Sequence, residues 1–191
     1  RYAAKLRLLL GIASRITKSN GADGIPAVRE ILGELVSMEA AFAGLIDGQL
    51  HAMEQAGNGY VRVNRRYMYA AVNYAVEHYA KICDQIRTLM GGGTFQMPAS
   101  IDVIEDASLA SDFETYWSTG DETAVERMKL FRLAWDMLGS EFAMRHDQYE
   151  KFYFGQRFVV RNFNHLHAPW HEFEGLVFSS IKLKSLFINS N

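Results

Sequence analysis

Cysteine and proline are scarce in this sequence. Cys83 is the only cysteine in 191 residues, so no intrachain disulfide can form and nothing signals a secreted, disulfide-stapled chain. The only prolines, Pro26, Pro98 and Pro169, avoid the interior of every long periodic segment. Proline breaks helices, so its scarcity leaves room for long ones. An excess of one charge is missing too. Twenty basic against 22 acidic residues give a net charge of −2, which argues against a nucleic-acid footprint. No apolar run approaches the roughly 18 residues of a membrane span. There is no Gly-x-x-x-x-Gly-Lys-Ser/Thr phosphate loop and no Gly-x-Gly-x-x-Gly after a strand. Internal repeats and low-complexity segments are absent. The chain opens at Arg1-Tyr2 and runs straight into a helical pattern, without the apolar centre and cleavage site of a signal peptide. That opening reads as part of a longer protein that continues upstream.

What is present is helical periodicity. Hydrophobic residues make up 49% and charged residues 22%, a soluble globular composition long enough for one sizeable core. Leu6, Leu9, Leu10, Ala13 and Ile16 recur at helical spacing until Asn20-Gly21 stops them. Pro26 suits a first turn, and Val28, Ile31, Leu32, Leu35, Met38, Phe42, Leu45, Ile46 and Met53 carry a second stripe to Gly57-Asn58-Gly59. Asn64 is an N-cap candidate for a third helix along Tyr67, Ala70, Ala71, Tyr74, His78, Ile82, Ile86 and Leu89. Capping boxes are expected at Ser111/Glu114 and at Thr123/Glu126, the second opening a stripe of Val125, Met128, Phe131, Leu138, Phe142, Tyr149 and Phe152. The pattern predicts long helices near 2–19, 25–55, 65–90 and 122–153. "YVRV" (60–63) reads as extended, and "RFVVRNF" (157–163) as either extended or helical. Long helices with short connections predict an all-α, antiparallel four-helix bundle.

Candidate chemistry is sparse. His165, His167 and His171, followed by Glu172 and Glu174, are metal-ligand types, but their spacing is not diagnostic and Pro169 interrupts the register. No Glu precedes a His by three, so the Glu-x-x-His pairs of a bundle diiron centre are missing. No metal site is expected, and Cys83 reads as an ordinary buried thiol. Two stretches stand out. In "LMGGGTFQMPAS", Gly91, Gly92, Gly93 and Thr94 follow the third helix. One glycine is enough to cap a helix. Three allow two readings: a stop alone, or a stop whose bare N–H groups also meet a phosphate, a flavin edge or another chain. In "GSEFAMRHDQYEKFYFG", Arg145, Tyr149 and Phe152 share a helix face beside Gln148. A cation, an amide and aromatic rings on one stripe suit an anionic planar cofactor. The competing reading is an ordinary amphipathic helix with surface pairs such as Asp147–Lys151 and aromatics in the core.

These stretches, in this order, together with "LRLLLGIASRITKSNG", "REILGELVSMEAAF" and "ERMKLFRLAWDMLGSEFAMRHDQYEKFYFG", resemble the C-terminal helical domain of the 4-hydroxyphenylacetate 3-hydroxylase family. These are oxygenase components of two-component flavin monooxygenases, a group that includes pyoverdin chromophore biosynthesis proteins. The resemblance covers residues 1–182, while 183–191 form a tail that matches nothing. It implies a bundle like the C-terminal domain of acyl-CoA dehydrogenases, with short extra helices. It also implies an N-terminal domain and a middle β domain, both absent from this chain. The implied activity is hydroxylation of a phenolic small molecule with FAD, supplied as FADH2 by a separate reductase. The implied assembly is a homo-oligomer, dimer or tetramer, in the cytoplasm, with no nucleic-acid or membrane partner. On this resemblance Gly91, Gly92, Gly93, Thr94, Arg145, Gln148, Tyr149, Phe152, Tyr153, Phe154 and Gly155 would contribute to the flavin site. No catalytic residue is expected in this chain, because the family's phenol-binding residues lie in the other two domains. Two other readings are a helical module that only drives oligomerisation, and an acyl-CoA dehydrogenase-like domain. The latter needs a catalytic glutamate, for which Glu114, Glu122, Glu126 and Glu141 are candidates by type.

Overall fold

The computed structural model describes residues 1–153 and 155–188, with side chains through 181. Its core is built by α1 (Tyr2–Ser19), α2 (Pro26–His51), α3 (Arg65–Met90) and α6 (Ala124–Leu138). Leu6, Leu9, Ala13 and Ile16 of α1 are buried, as their spacing requires. They meet Leu35, Met38 and Phe42 of α2, Ala71, Ile82, Ile86 and Leu89 of α3, and Met128, Phe131 and Leu138 of α6 in one cluster. This is the expected all-α bundle.

Local signals fix most boundaries. The Asn64 side chain accepts from Tyr67 N at 3.2 Å and starts α3. The Thr123/Glu126 capping box forms in full and starts α6. The expected Ser111/Glu114 box does not form, because α5 (Ala107–Trp117) begins earlier. Its cap is Asp106, which accepts from Ser108 N at 2.8 Å. Glu114 is left to receive Ala124 N at the head of α6.

Two elements differ from expectation. The second helix ends at His51, four residues early, and the chain enters a hairpin of β1 (Glu54–Gly57) and β2 (Tyr60–Arg62). Asn58 and its flanking glycines all have positive φ, which turns this hairpin. The fourth helix is not continuous. It breaks at Gly139–Ser140, where Ser140 caps α7 (Glu141–Phe152) by accepting from Ala143 N at 3.1 Å. The break changes the helical phase. Met128, Phe131 and Leu138 stay buried, but Phe142, Tyr149 and Phe152 on the same expected stripe are exposed.

Between α3 and α6 run the short α4 (Gly93–Gln96), a 3-10 turn (Ile101–Ile104) and α5. "RFVVRNF" is helical, within α8 (Arg157–Leu166), which packs along α3 through a stack of Tyr69 on Phe163 at 4.8 Å. The last helix, α9 (Trp170–Ile188), runs across the boundary expected at residue 183.

Candidate functional site

The triple glycine divides its work. Gly91 ends α3 with φ +58, a conformation that favours glycine. Gly93 lies against the core: a Cβ there would sit 2.4 Å from the Phe131 ring. Gly92 has an ordinary φ of −73°, and a Cβ on it would come no closer than 3.9 Å to Gln96. One glycine therefore caps, one permits close packing, and the middle one presents backbone outward.

Gly91 and Thr94 line an open notch of about 370 Å³, completed by Arg87, Met90, Phe95, Trp135, Leu138 and Gly139. The Phe95 ring is 92% exposed at its rim. Arg87 is held in place: its Nε and Nη2 donate to the Leu138 carbonyl at 2.9 and 2.7 Å. The notch offers flat apolar faces and bare backbone. It holds no paired acid and base.

The second stretch sits mostly elsewhere. A hollow of about 450 Å³ lies toward the start of α3, walled by Tyr2, Phe42, Met68, Ala71 and Ala75, with Arg1, Glu150 and Tyr153 on its lining. Val76 and Met90, which line the two hollows, are about 20 Å apart along α3. The glycines and the end of α7 therefore do not share one pocket. α7 joins them, from Gly139 just before its start to Glu150 and Tyr153 at its end. Arg145, Gln148, Tyr149 and Phe152 are all exposed on it. Among the described residues Arg145 pairs with the equally exposed Glu141. Gly155, with φ +100, makes the turn after α7, and Phe154 lies outside the described residues. The amphipathic reading of this helix holds in part. Asp147 and Lys151 do pair, at 2.6 Å, but the aromatic rings face outward.

The most strongly built polar group was missed by the sequence reading. Lys5 Nζ donates to Glu150 Oε1 at 2.8 Å with both side chains buried, 7% and 5% exposed. Arg1 reaches the other oxygen at 3.2 Å and places its guanidinium 4.7 and 4.2 Å from the ring centres of Tyr149 and Tyr153. Tyr79 adds its hydroxyl beside Lys5, and burial pushes that phenol well above the usual tyrosine range. Burial and the nearby Lys5 lower His146, which lies 3.5 Å from Glu150. One signal was available. Lys5 interrupts the apolar stripe of Tyr2, Leu6 and Leu9, and a charge on a core face needs a buried partner.

The glutamates considered for a dehydrogenase are otherwise engaged. Glu114 and Glu126 serve helix starts, Glu122 pairs with Arg15, and Glu141 is exposed with Arg145. His167 stacks on Tyr69 and His165 packs on Trp170. Among the described residues, no three His, Cys, Asp or Glu side chains gather as a metal site.

Comparison with known proteins decides the family. Residues 1–181 match the family described as 4-hydroxyphenylacetate 3-hydroxylase C terminal. The chain belongs to the 4-hydroxyphenylacetate 3-hydroxylase family. Within that family it is 27% identical over 162 residues to the oxygenase component of a 4-nitrophenol 2-monooxygenase from a Rhodococcus species, covering 84% of this chain and 31% of that protein. It is 31% identical over 153 residues to a 4-hydroxyphenylacetate 3-monooxygenase oxygenase component from Thermus thermophilus, covering 80% and 31%. The chain thus spans about a third of the length of these relatives. Its fold matches a crystal structure of the oxygenase component HpaB complexed with FAD, with a TM-score of 0.90 at 24% identity, over 98% of this chain and 39% of that one. An archaeal 4-hydroxybutyryl-CoA dehydratase shares the fold more loosely, with a TM-score of 0.75.

Proposed function

We propose that this chain is the C-terminal bundle, residues 1–182, of the oxygenase component of a reduced-flavin-dependent aromatic hydroxylase. Its role is to supply one wall of the FAD site and part of a homo-oligomer interface. The observation that carries this reading is the family match over residues 1–181. The relatives' names supply the activity: monooxygenases acting on 4-nitrophenol and 4-hydroxyphenylacetate.

The residues present fit a flavin as a partial wall. Flat apolar surface is available at Phe95 and Trp135, beside the backbone of Gly91 and the side chain of Thr94, and the exposed Gly92 adjoins Gly91 in the chain. The outer face of α7 offers Arg145, an exposed cation suited to a phosphate, then Gln148, Tyr149 and Phe152, with Tyr153 and Gly155 at its end. An extended dinucleotide suits surface that runs from one hollow toward the other. When bound, the flavin supplies the oxygen-activating chemistry. The side chains on this wall bind, orient and exclude water. None is placed to move a proton to or from a substrate. The protein receives reduced flavin from a separate reductase, takes a phenolic substrate and works in the cytoplasm as a dimer or tetramer.

The test uses the full-length protein. Reduced FAD supplied in the presence of oxygen and 4-hydroxyphenylacetate or 4-nitrophenol should give the ortho-hydroxylated product. Reduced-flavin binding without hydroxylation of any phenol would refute the activity. Assembly without flavin binding would favour the oligomerisation module instead.

A further inference from the structure

The dipeptide Asn-Gly occurs twice in this sequence, at Asn20-Gly21 and Asn58-Gly59. It carries a reaction of its own that needs only water. The glycine's backbone nitrogen attacks the asparagine Cγ and gives up its proton. The new N–Cγ bond closes a succinimide ring, the Cγ–Nδ2 bond breaks, and Nδ2 leaves as ammonia. Water then opens the ring to aspartate, or to isoaspartate with the main chain rerouted through the side chain. Glycine favours closure because it has no Cβ to hinder the approach or the backbone rotation that precedes it. Both sites are exposed, so access to water does not separate them. Their hydrogen bonds do.

Asn20-Gly21 is tied. Gly21 N, the nucleophile, donates to the Lys18 carbonyl at 2.9 Å, and the next amide, Ala22 N, donates to the Thr17 carbonyl at 2.8 Å. The electrophile is tied as well: Asn20 Oδ1 accepts from Arg127 Nη2 at 2.9 Å. These bonds close the end of α1 and join it to α6. Ring closure at Asn20 has to break both the Gly21 and the Arg127 bonds.

Asn58-Gly59 is the opposite case. Asn58 (φ +50) and Gly59 (φ +78) are the two central residues of the hairpin turn. Among the described residues no hydrogen bond holds the Asn58 side chain or Gly59 N. A Cβ on Gly59 would meet nothing within 4 Å, so the space around the nucleophile is open. The strands are short, four and three residues, and mostly exposed. Such a ribbon opens at its tip at little cost. Its base is held instead. Glu54 accepts from Arg62 Nε at 3.1 Å and from Arg65 Nε at 2.9 Å, and Asn64 Nδ2 donates to the Ala52 carbonyl at 3.0 Å. The tip is free to rotate into the attacking geometry while the hairpin stays anchored.

We propose that Asn58-Gly59 is a site of spontaneous deamidation, and that the fold withholds the same reaction from Asn20-Gly21. The product alters the hairpin. Aspartate adds a carboxylate at the tip. Isoaspartate also adds a backbone carbon to a turn whose two residues fix the register of β1 and β2. This inference does not depend on the flavin reading.

The experiment follows both sites in the full-length protein, held native at mildly alkaline pH and sampled over time for tryptic peptide mapping by mass spectrometry. Cleavage after Lys18, Arg29 and Arg62 puts Asn20 in the peptide 19–29 and Asn58 in the peptide 30–62. Deamidation appears as the gain in mass when an amide becomes a carboxyl. Fragment ions separate Asn58 from Gln49 and Gln55 in the same peptide. A parallel sample in urea removes the fold. In the native protein Asn58 should convert at least roughly tenfold faster than Asn20, because closure at Asn20 first breaks two hydrogen bonds. In urea the two rates should converge. Asn58→Gln should abolish the gain assigned to position 58. Native conversion of Asn58 no faster than that of Asn20 would overturn the proposal. So would a native excess at Asn58 that persists undiminished in urea, since neighbouring sequence and not the fold would then set it. An Asn58 that stays intact in the native protein also overturns it, whether or not urea releases the reaction.

Discussion

Gly93 lies so close to Phe131 that a Cβ on it would come within 2.4 Å of the ring. Phe131 is fully buried, so the ring has little room to yield. Gly93→Ala should therefore destabilise the protein by about 1–3 kcal/mol, the usual cost of overpacking. Gly92→Ala, one residue away with open space, should change stability by no more than ~0.5 kcal/mol. Urea unfolding of the two variants checks this contrast. Equal costs would mean that the glycines act only through backbone conformation.

The Lys5–Glu150 pair gives a second prediction. Both side chains are buried, so removing Glu150 strands the Lys5 charge, and removing Lys5 leaves Glu150 with only the half-exposed Arg1 as counterion. Glu150→Gln should cost about 3–5 kcal/mol and Lys5→Met less, because Arg1 still faces the carboxylate, whereas Lys5→Met with Glu150→Leu should recover most of the larger loss. A double-mutant cycle in urea measures the coupling. Additive single and double effects would show that the pair is not the unit of stability.

Much of the fold was legible because its signals are local. Asn64 and Thr123 cap helices with their own side chains, and the apolar periods of α1 and α3 match their buried faces. The break at Gly139–Ser140 was not legible, because the apolar period continues across it in sequence. Only the serine's bond to Ala143 N distinguishes a new helix start from an exposed mid-helix residue. The hairpin after His51 was half legible: "YVRV" looked extended, but "EQAG" has no strand character of its own and is held by pairing. At the candidate site the sequence identified the glycines as a group. It could not assign Gly93 to the core, since that depends on Phe131, which is distant in sequence.

Glu77 supports a pH prediction. Its hydrogen bond with Arg161, which ties α8 to α3, holds its carboxyl below the usual glutamate range. A depressed folded-state pKa contributes stability that is present above the unfolded pKa and is lost as pH falls through the folded one. The wild type's advantage over Glu77→Gln in thermal unfolding should thus be present in full at about pH 6, begin to shrink as the pH falls past the ordinary glutamate value of about 4.3, and vanish only below the depressed folded-state value. The pair is partly exposed, so the effect is small. An advantage that grows on acidification would contradict the sign.

Cys83 offers a simple probe of core integrity. Its thiol is buried, and burial pushes its pKa above the ordinary cysteine value. It should resist iodoacetamide at about pH 8 in the native protein and react once urea unfolds it. Rapid labelling of the folded protein would show that the α3 core opens readily.

The most direct test of the flavin-wall reading is anaerobic titration of the full-length protein with FADH2, comparing Gly92→Val with Lys129→Ala. A side chain at Gly92 has room within this chain, so its effect reports on what its outward surface meets. The expected result is that Gly92→Val weakens FADH2 binding at least tenfold with its unfolding midpoint preserved, while Lys129→Ala, an exposed change elsewhere on the bundle, binds like the parent. FADH2 binding by Gly92→Val equal to the parent's would contradict it and leave the three glycines as a helix stop and a packing contact.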